Sequence, residues 1–283
     1  MDELRARAYL DILLGIDSRP TPTPSDRTPA PAGPVAGVIP PGFVGKTNLT
    51  IPLATLLHLG NRPGEMAGIG PIDPDLARQL AAAAARNPRS TWCITVTDQQ
   101  GHAIGHGCAR PEPASHRDRT AKRRQPRQPS GHDPPSGPAF TFIPDGQPDP
   151  PGGYGTWRFS TGIPGQPTLI IALGPLPAGR CDHRHQARGH DPGVMLAHLV
   201  RVRHATCTGP GCRRPSVRCD FEHNIPYEAG GRTCLCNVDP KCRYDHRVKQ
   251  DPRWKAEPFP GGEVRWTTPS GRQYTTEPTR YPI

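Results

Sequence analysis

The sequence predicts an α+β chain built of small units joined by long Pro/Gly-rich linkers, and three observations carry that prediction. Pro and Gly, at 39 and 31 of 283 residues, fill about a quarter of the chain against about an eighth in an average protein, so much of it is neither helix nor strand. Between those stretches, short helix-period and strand-period apolar patterns alternate. Six of the nine cysteines, Cys207, Cys212, Cys219, Cys234, Cys236 and Cys242, crowd into residues 207–242. With 34% apolar and 6% aromatic residues, the chain can fill small separate cores but not one large one.

Taken in order, residues 1–18 hold one amphipathic helix pattern (Leu4, Ala8, Leu10, Ile12, Leu13, Leu14) that Pro20, Pro22 and Pro24 end at once. The expectation is the terminal helix of a truncated upstream domain, which makes the chain a piece of a longer protein. Residues 19–41 are a Pro-rich linker. Residues 42–110 form a small mixed α/β remnant domain: a strand-like start from Asn48 to Leu53, a short helix, and a helix from Asp73 to Arg86 with Asp73 as N-cap and Pro74 in the first turn. The alternating TWCITVT (91–97), a turn at Asp98 to Gly101 and a return strand to Cys108 predict a hairpin.

Residues 111–152 are a disordered, basic, Pro-rich linker with the run HRDRTAKRRQPR at 116–127, which reads as a solvated tether or as a non-specific phosphate contact. Residues 153–190 are a connector holding one buried-type strand, TLIIALGPL (168–176). A helix starting at Asp191-Pro192 and running through VMLAHLVRVRH opens the C-terminal module, 191–283. After the cysteines, EVRWTTPSGRQYTT (263–276) predicts two strands around Pro269 to Gly271, with Trp266 and Tyr274 packed on the module rather than stacked on bases.

Charge and cysteine usage narrow the function classes. The formal net charge is +10 and the pI about 9.4, which favours a polyanionic partner. No run of about 18 apolar residues and no basic-apolar-small leader pattern is present, so the reading is a cytoplasmic protein without a membrane span. An odd cysteine total mixed with His in such a chain favours metal ligation over a disulfide framework.

The text CTGPGCRRPSVRCDFEHNIPYEAGGRTCLCNVDPKCRYDHRVKQ, from Cys207 to Gln250, presents in order an acid-His pair (Glu222-His223), an Asn (Asn237) and a His (His246), flanked by cysteines. At these residues the sequence resembles an HNH endonuclease, and in particular the C-terminal HNH module of an actinobacterial family with an N-terminal domain of unknown function. The resemblance extends back through 43–110 and forward to the closing residues. It implies a ββα-metal unit: a hairpin bearing the acid-His pair, a loop bearing the Asn and a helix bearing the last His. RCDFEHNIPY is then strand, EAGGR the turn, and Asp239-Pro240 the cap and first turn of the helix.

The chemistry fits the residues. Phosphodiester hydrolysis needs an activated water and a cation to neutralise charge on the phosphate and leaving oxygen. A neutral imidazole suits proton abstraction at physiological pH, and His223 is that base. Glu222 and His246 are the ligands of a divalent cation, Mg²⁺ or Mn²⁺, with Asp220, on the same strand face as Glu222, as a substitute ligand. By the family's pattern Asn237 pins the loop and orients His223.

The resemblance also implies a structural zinc site formed by Cys207, Cys212, Cys242 and Asp245, which would tie the entry loop to the helix. Relatives commonly place His or Cys where this chain has Asp245, Asp where it has Glu222, and a second His where it has Gln250, departures that would weaken the zinc site and alter the cation preference. Cys219, Cys234 and Cys236 remain either alternative ligands or buried fillers. Arg213, Arg214, Arg243, Arg247 and Lys249 are the candidate contacts to the phosphate backbone of DNA, the expected partner. The competing expectation is a zinc-stabilised nucleic-acid-binding module whose nuclease site has decayed.

Overall fold

The computed structural model describes residues 48–87, 89–109, 139–146, 152–177 and 179–282. The expected helix at 1–18, the linker at 19–41 and the basic run at 116–127 lie outside the described residues. What is described is mixed α/β, with small antiparallel sheets and few helices. No helix among these residues is long and apolar enough to cross a membrane.

The first half builds three sheets. Strands β1 (Leu49–Thr50), β2 (Gly64–Met66) and β3 (Gly70–Ile72) form one, with the short helix α1 (Leu53–Leu56) between β1 and β2. Helix α2 (Pro74–Ala85) follows, and Asp73 caps it by accepting from the amides of Asp75 and Leu76. The hairpin of β4 (Trp92–Thr97) and β5 (Ala103–Ala109) is extended by β9 (Gly174–Pro175). A third sheet joins β6 (Thr141–Pro144), β7 (Thr156–Ser160) and β8 (Leu169–Ala172).

These strands revise two expectations. Thr141–Pro144 falls in the stretch read as linker, yet it pairs with β7 from Thr141 opposite Ser160 to Pro144 opposite Trp157. TLIIALGPL is two strands in two different sheets, broken at Leu173. The physical reason is shared: Phe140, Phe142, Trp157 and Phe159 supply the apolar face these sheets need. Trp92 lies 4.9 Å from Phe159 and Phe142 stacks on Trp157 at 4.6 Å, around a core with Leu56, Ala81, Leu169 and Ile171.

The second half starts at α3 (Val194–Arg203). The helix begins after Gly193 with no side-chain cap, two residues later than Asp191-Pro192 would have it. Its buried Leu196, Leu199 and Val200 pack with Leu176, Leu235 and Val238. Strand β10 (Asp220–His223) pairs antiparallel with β11 (Val238–Lys241), Asp220 opposite Lys241 and His223 opposite Val238. Helix α4 (Arg243–Gln250) follows directly. A closing meander of β12 (Lys255–Pro258), β13 (Val264–Thr267) and β14 (Gln273–Thr276) buries Trp266 completely and leaves Tyr274 exposed. Trp266 is therefore packed as expected, whereas Tyr274, directly opposite it on the edge strand β14, is exposed.

The helix start at Asp239-Pro240 is corrected as well. Both residues lie inside β11, and Cys242 caps α4, its Sγ accepting from the Asp245 amide. Asp239 is instead consumed by the interior. It accepts from Asn224 Nδ2 at 2.6 Å and from Thr208 Oγ1 at 2.8 Å, and it pairs with the fully buried Lys241 ammonium.

Candidate metal and catalytic site

The order strand, strand, helix brings three groups of sequence-selected residues onto one small frame. The first is Cys207, Cys212, Cys242 and Asp245, each offering one ligand atom, all within 4.8 Å of one another. Cys207 arrives on the loop after α3, Cys242 at the cap of α4 and Asp245 in its first turn. Asp245 Oδ2 lies 3.1 Å from Cys207 Sγ and 3.0 Å from Cys242 Sγ, while Cys212 Sγ lies 3.9 Å from Cys242 Sγ.

Two observations are compatible with these donors holding a metal ion. The amides of Gly209 and Cys242 point at Cys207 Sγ, at 3.3 and 3.1 Å, as they would toward a thiolate. A Cβ on Gly209 would fall 2.2 Å from Asp245 Cγ, so the loop is shaped to admit that carboxylate. These residues can hold a structural zinc.

The second group is Asp220, Glu222 and His246. Strand alternation puts both carboxylates on one face of β10, and both meet the His246 ring from α4, through opposite nitrogens. His246 Nδ1 is 3.0 Å from Asp220 Oδ2, and Nε2 is 2.9 Å from Glu222 Oε2. The two carboxylates therefore do not converge on one point. Asp220 also pairs with Arg243 at 3.2 Å, and Glu222 Oε1 accepts from Lys249 Nζ at 2.9 Å.

The third group surrounds His223, which is buried at the end of β10. Its Nε2 lies 2.8 Å from Thr233 Oγ1. The same hydroxyl reaches the His190 carbonyl, to which it can donate at 3.2 Å. Burial, then the neighbouring His190, holds His223 below the usual imidazole range. His190 itself is raised by its hydrogen bond to Asp191. The two imidazole rings are 5.0 Å apart, and Tyr227 closes the group at 5.7 Å from His223.

Asn237 touches neither carboxylate and makes no side-chain hydrogen bond to the His223 ring. Its Nδ2 donates to the carbonyls of Ile225 and Arg232, both at 3.0 Å, and its Oδ1 accepts from the Ile225 amide at 2.8 Å. It closes the loop that follows His223, and Gly231 permits that closure because a Cβ there would sit 1.9 Å from the Ile225 carbonyl oxygen.

Of the basic residues, Arg213, Arg214, Arg243 and Arg247 are exposed. Lys249 is half-buried and committed, donating to Glu222 Oε1 and, at 2.5 Å, to the His223 carbonyl. Its ammonium thus bridges the carboxylate group and the His223 strand end. Cys219 joins no ligand group and its thiol points at the Pro215 carbonyl at 3.5 Å.

Residues outside the expected set also gather. Cys93 and Cys108 face each other across β4 and β5 and are joined as a disulfide, a bond the cysteine count argued against. His106 and His198 lie beside it, their Nε2 atoms 2.8 Å apart. Cys234 and Cys236 turn away from the Cys207 cluster toward Cys181 and His183. Sequence spacing gave no hint of that pairing, because about fifty residues separate the two halves.

No protein-family model matches the chain, and no solved structure matches it. Curated relatives come from Mycobacterium tuberculosis. Uncharacterized protein Rv3776 (strain ATCC 25618 / H37Rv) is 40% identical over 88 residues, covering 31% of this chain and 17% of its own length. Uncharacterized proteins MT2160 (strain CDC 1551 / Oshkosh) and Rv2100 (strain ATCC 25618 / H37Rv) are each 32% identical over 164 residues, covering 53% of this chain and 30% of their own. The chain spans less than a third of the length of the curated relatives it matches.

Proposed function

We propose that the chain is a metal-dependent endonuclease of the HNH type that hydrolyses DNA phosphodiester bonds. The observation that carries this reading is the placement of His223: buried at the end of β10, its Nε2 2.8 Å from Thr233 Oγ1, one residue from a carboxylate that meets an imidazole from the following helix. Such an imidazole takes the proton of an attacking water. Glu222 and His246 would hold the cation, Mg²⁺ or Mn²⁺, with Asp220 beside them. When bound, the cation would supply charge neutralisation at the scissile phosphate and leaving oxygen. Asn237 keeps the 225–237 loop closed behind the base, and the proposed zinc at Cys207, Cys212, Cys242 and Asp245 holds α4, and so His246, against β10.

A second reading has its own observation. Lys249 already gives Glu222 a positive partner, which suits a zinc-stabilised DNA-binding module whose cutting site has decayed. Nicking of supercoiled plasmid with Mg²⁺ or Mn²⁺ separates the two. Under the first reading the wild type nicks and His223→Ala loses about 10²-fold or more, the usual share of a general base. Equal cleavage by both proteins would sink the nuclease reading. Salt-sensitive DNA binding with no cleavage under either metal would establish the second.

A further inference from the structure

Away from the Cys207 cluster, Cys181, His183, Cys234 and Cys236 bring four ligand atoms together, each within 4.8 Å of the others. They arrive as Cys-x-His from the segment before α3 and Cys-x-Cys from the loop before β11. Cys181 Sγ lies 3.6 Å from Cys234 Sγ, and His183 Nδ1 lies 3.4 Å from Cys234 Sγ and 3.7 Å from Cys236 Sγ. An ion held tetrahedrally about 2.3 Å from sulfur and about 2.0 Å from nitrogen spaces its ligands roughly 3.5–3.8 Å apart. The observed gaps fall on that scale.

We propose that Cys181, His183, Cys234 and Cys236 form a second, closed structural zinc site. Two further features fit it. His183 has φ +57°, in the left-handed region, and its amide lies 3.4 Å from Cys181 Sγ. This turn folds the imidazole back beside the sulfur two residues earlier, a conformation a β-carbon-bearing residue adopts only where the surroundings hold it. Arg203 is buried, donating to the carbonyl of Leu235, the residue between Cys234 and Cys236, and to that of Pro177. Zinc with three thiolates and one neutral imidazole carries net charge −1, which one buried guanidinium balances.

The site has a structural consequence. The Cys-x-Cys loop is flanked by Thr233, whose hydroxyl meets the His223 ring, and by Asn237, which closes the loop behind it. An ion clamping Cys234 and Cys236 to the 181–183 turn would hold both neighbours in place without touching His223. The assignment of zinc stands apart from the nuclease reading, because it concerns metal content and not cleavage.

The test uses the full chain, purified with zinc and a reductant, with zinc counted per chain by atomic spectrometry. A Cys181→Ser/His183→Ala variant is expected to hold one zinc fewer than wild type, with Cys207 still protected from alkylation. A second measurement needs no variant: the half-buried Cys181 and Cys236 of the wild type should resist iodoacetamide until a chelator is added, then react, as mapped by mass spectrometry. Unchanged zinc in a folded variant, or alkylation of Cys181 and Cys236 at one rate with and without chelator, would overturn the proposal. Since neither readout involves DNA, a negative result here leaves the nicking experiment to stand or fall alone.

Discussion

Lys241 carries its ammonium into the interior of the C-terminal unit with no exposed surface, and everything around it is arranged to receive that charge. Asn224 Oδ1 accepts from it at 2.9 Å, the Trp266 ring lies 5.4 Å away, and Asp239 supplies the counter-charge. Burial alone would raise the Asp239 carboxyl, but the Lys241 charge, nearby His204 and the Asn224 amide outweigh it and leave the acid below its usual range. Removing one partner strands the other charge in a dry site, whereas removing both does not. Asp239→Leu is therefore expected to cost about 3–5 kcal/mol of unfolding free energy. The Asp239→Leu/Lys241→Met double variant should cost less than either single change. Urea titration of the wild type, Asp239→Leu, Lys241→Met and the double variant checks this; additive costs would show that the pair is not coupled.

At the scale of elements, three of the chain's six Asp-Pro pairs are read as helix starts, and only one of these three starts a helix. Asp73 is exposed at a chain turn and free to accept from Asp75 and Leu76. Asp239 is drawn into the buried pair with Lys241, and Asp191 stands outside α3 beside His190. Local chemistry was the same in each case; what differed was a partner far away in sequence. The β4–β5 hairpin and the closing β13–β14 pair were legible because alternation and turn residues are local, and so was the Cys207, Cys212, Cys242 and Asp245 group, whose ligands frame one motif. The Cys181 and His183 half of the other group carried no such local pattern.

Helix α4 sharpens the point. At eight residues it is too short to persist alone, and its first turn is fastened through Cys242 and Asp245. Chelating zinc from the loaded protein should therefore open α4, speeding tryptic cleavage after Arg243 and Arg247 about tenfold or more, the factor given by about 1.4 kcal/mol of local opening. Cleavage after Arg78, tied by its guanidinium to the Thr55 carbonyl and Asp75, should not change. Unaltered cutting at Arg243 and Arg247 would show that the cysteine cluster does not hold the helix.

Over the whole molecule the charge of +10 says only that polyanions are favoured; under the proposed function, which cations would meet DNA is a matter of exposure and prior commitments. Arg213, Arg214 and Arg247 are exposed, and Arg243, though paired with Asp220, is exposed as well. Lys249 differs, because both its contacts are to Glu222 and the His223 carbonyl. Each phosphate neutralised contributes about −0.9 to the slope of log affinity against log salt concentration. Arg213→Ala/Arg214→Ala should thus flatten the slope for duplex DNA by about 2 and weaken binding alike for unrelated sequences. Lys249→Met should leave the slope unchanged, since its charge is already spent within the fold. Fluorescence anisotropy across a salt series distinguishes them. If the arginine pair leaves the slope intact while Lys249→Met flattens it, the face bearing Arg213 and Arg214 is not the one that meets the phosphate backbone, and contact runs instead through the carboxylate face of β10.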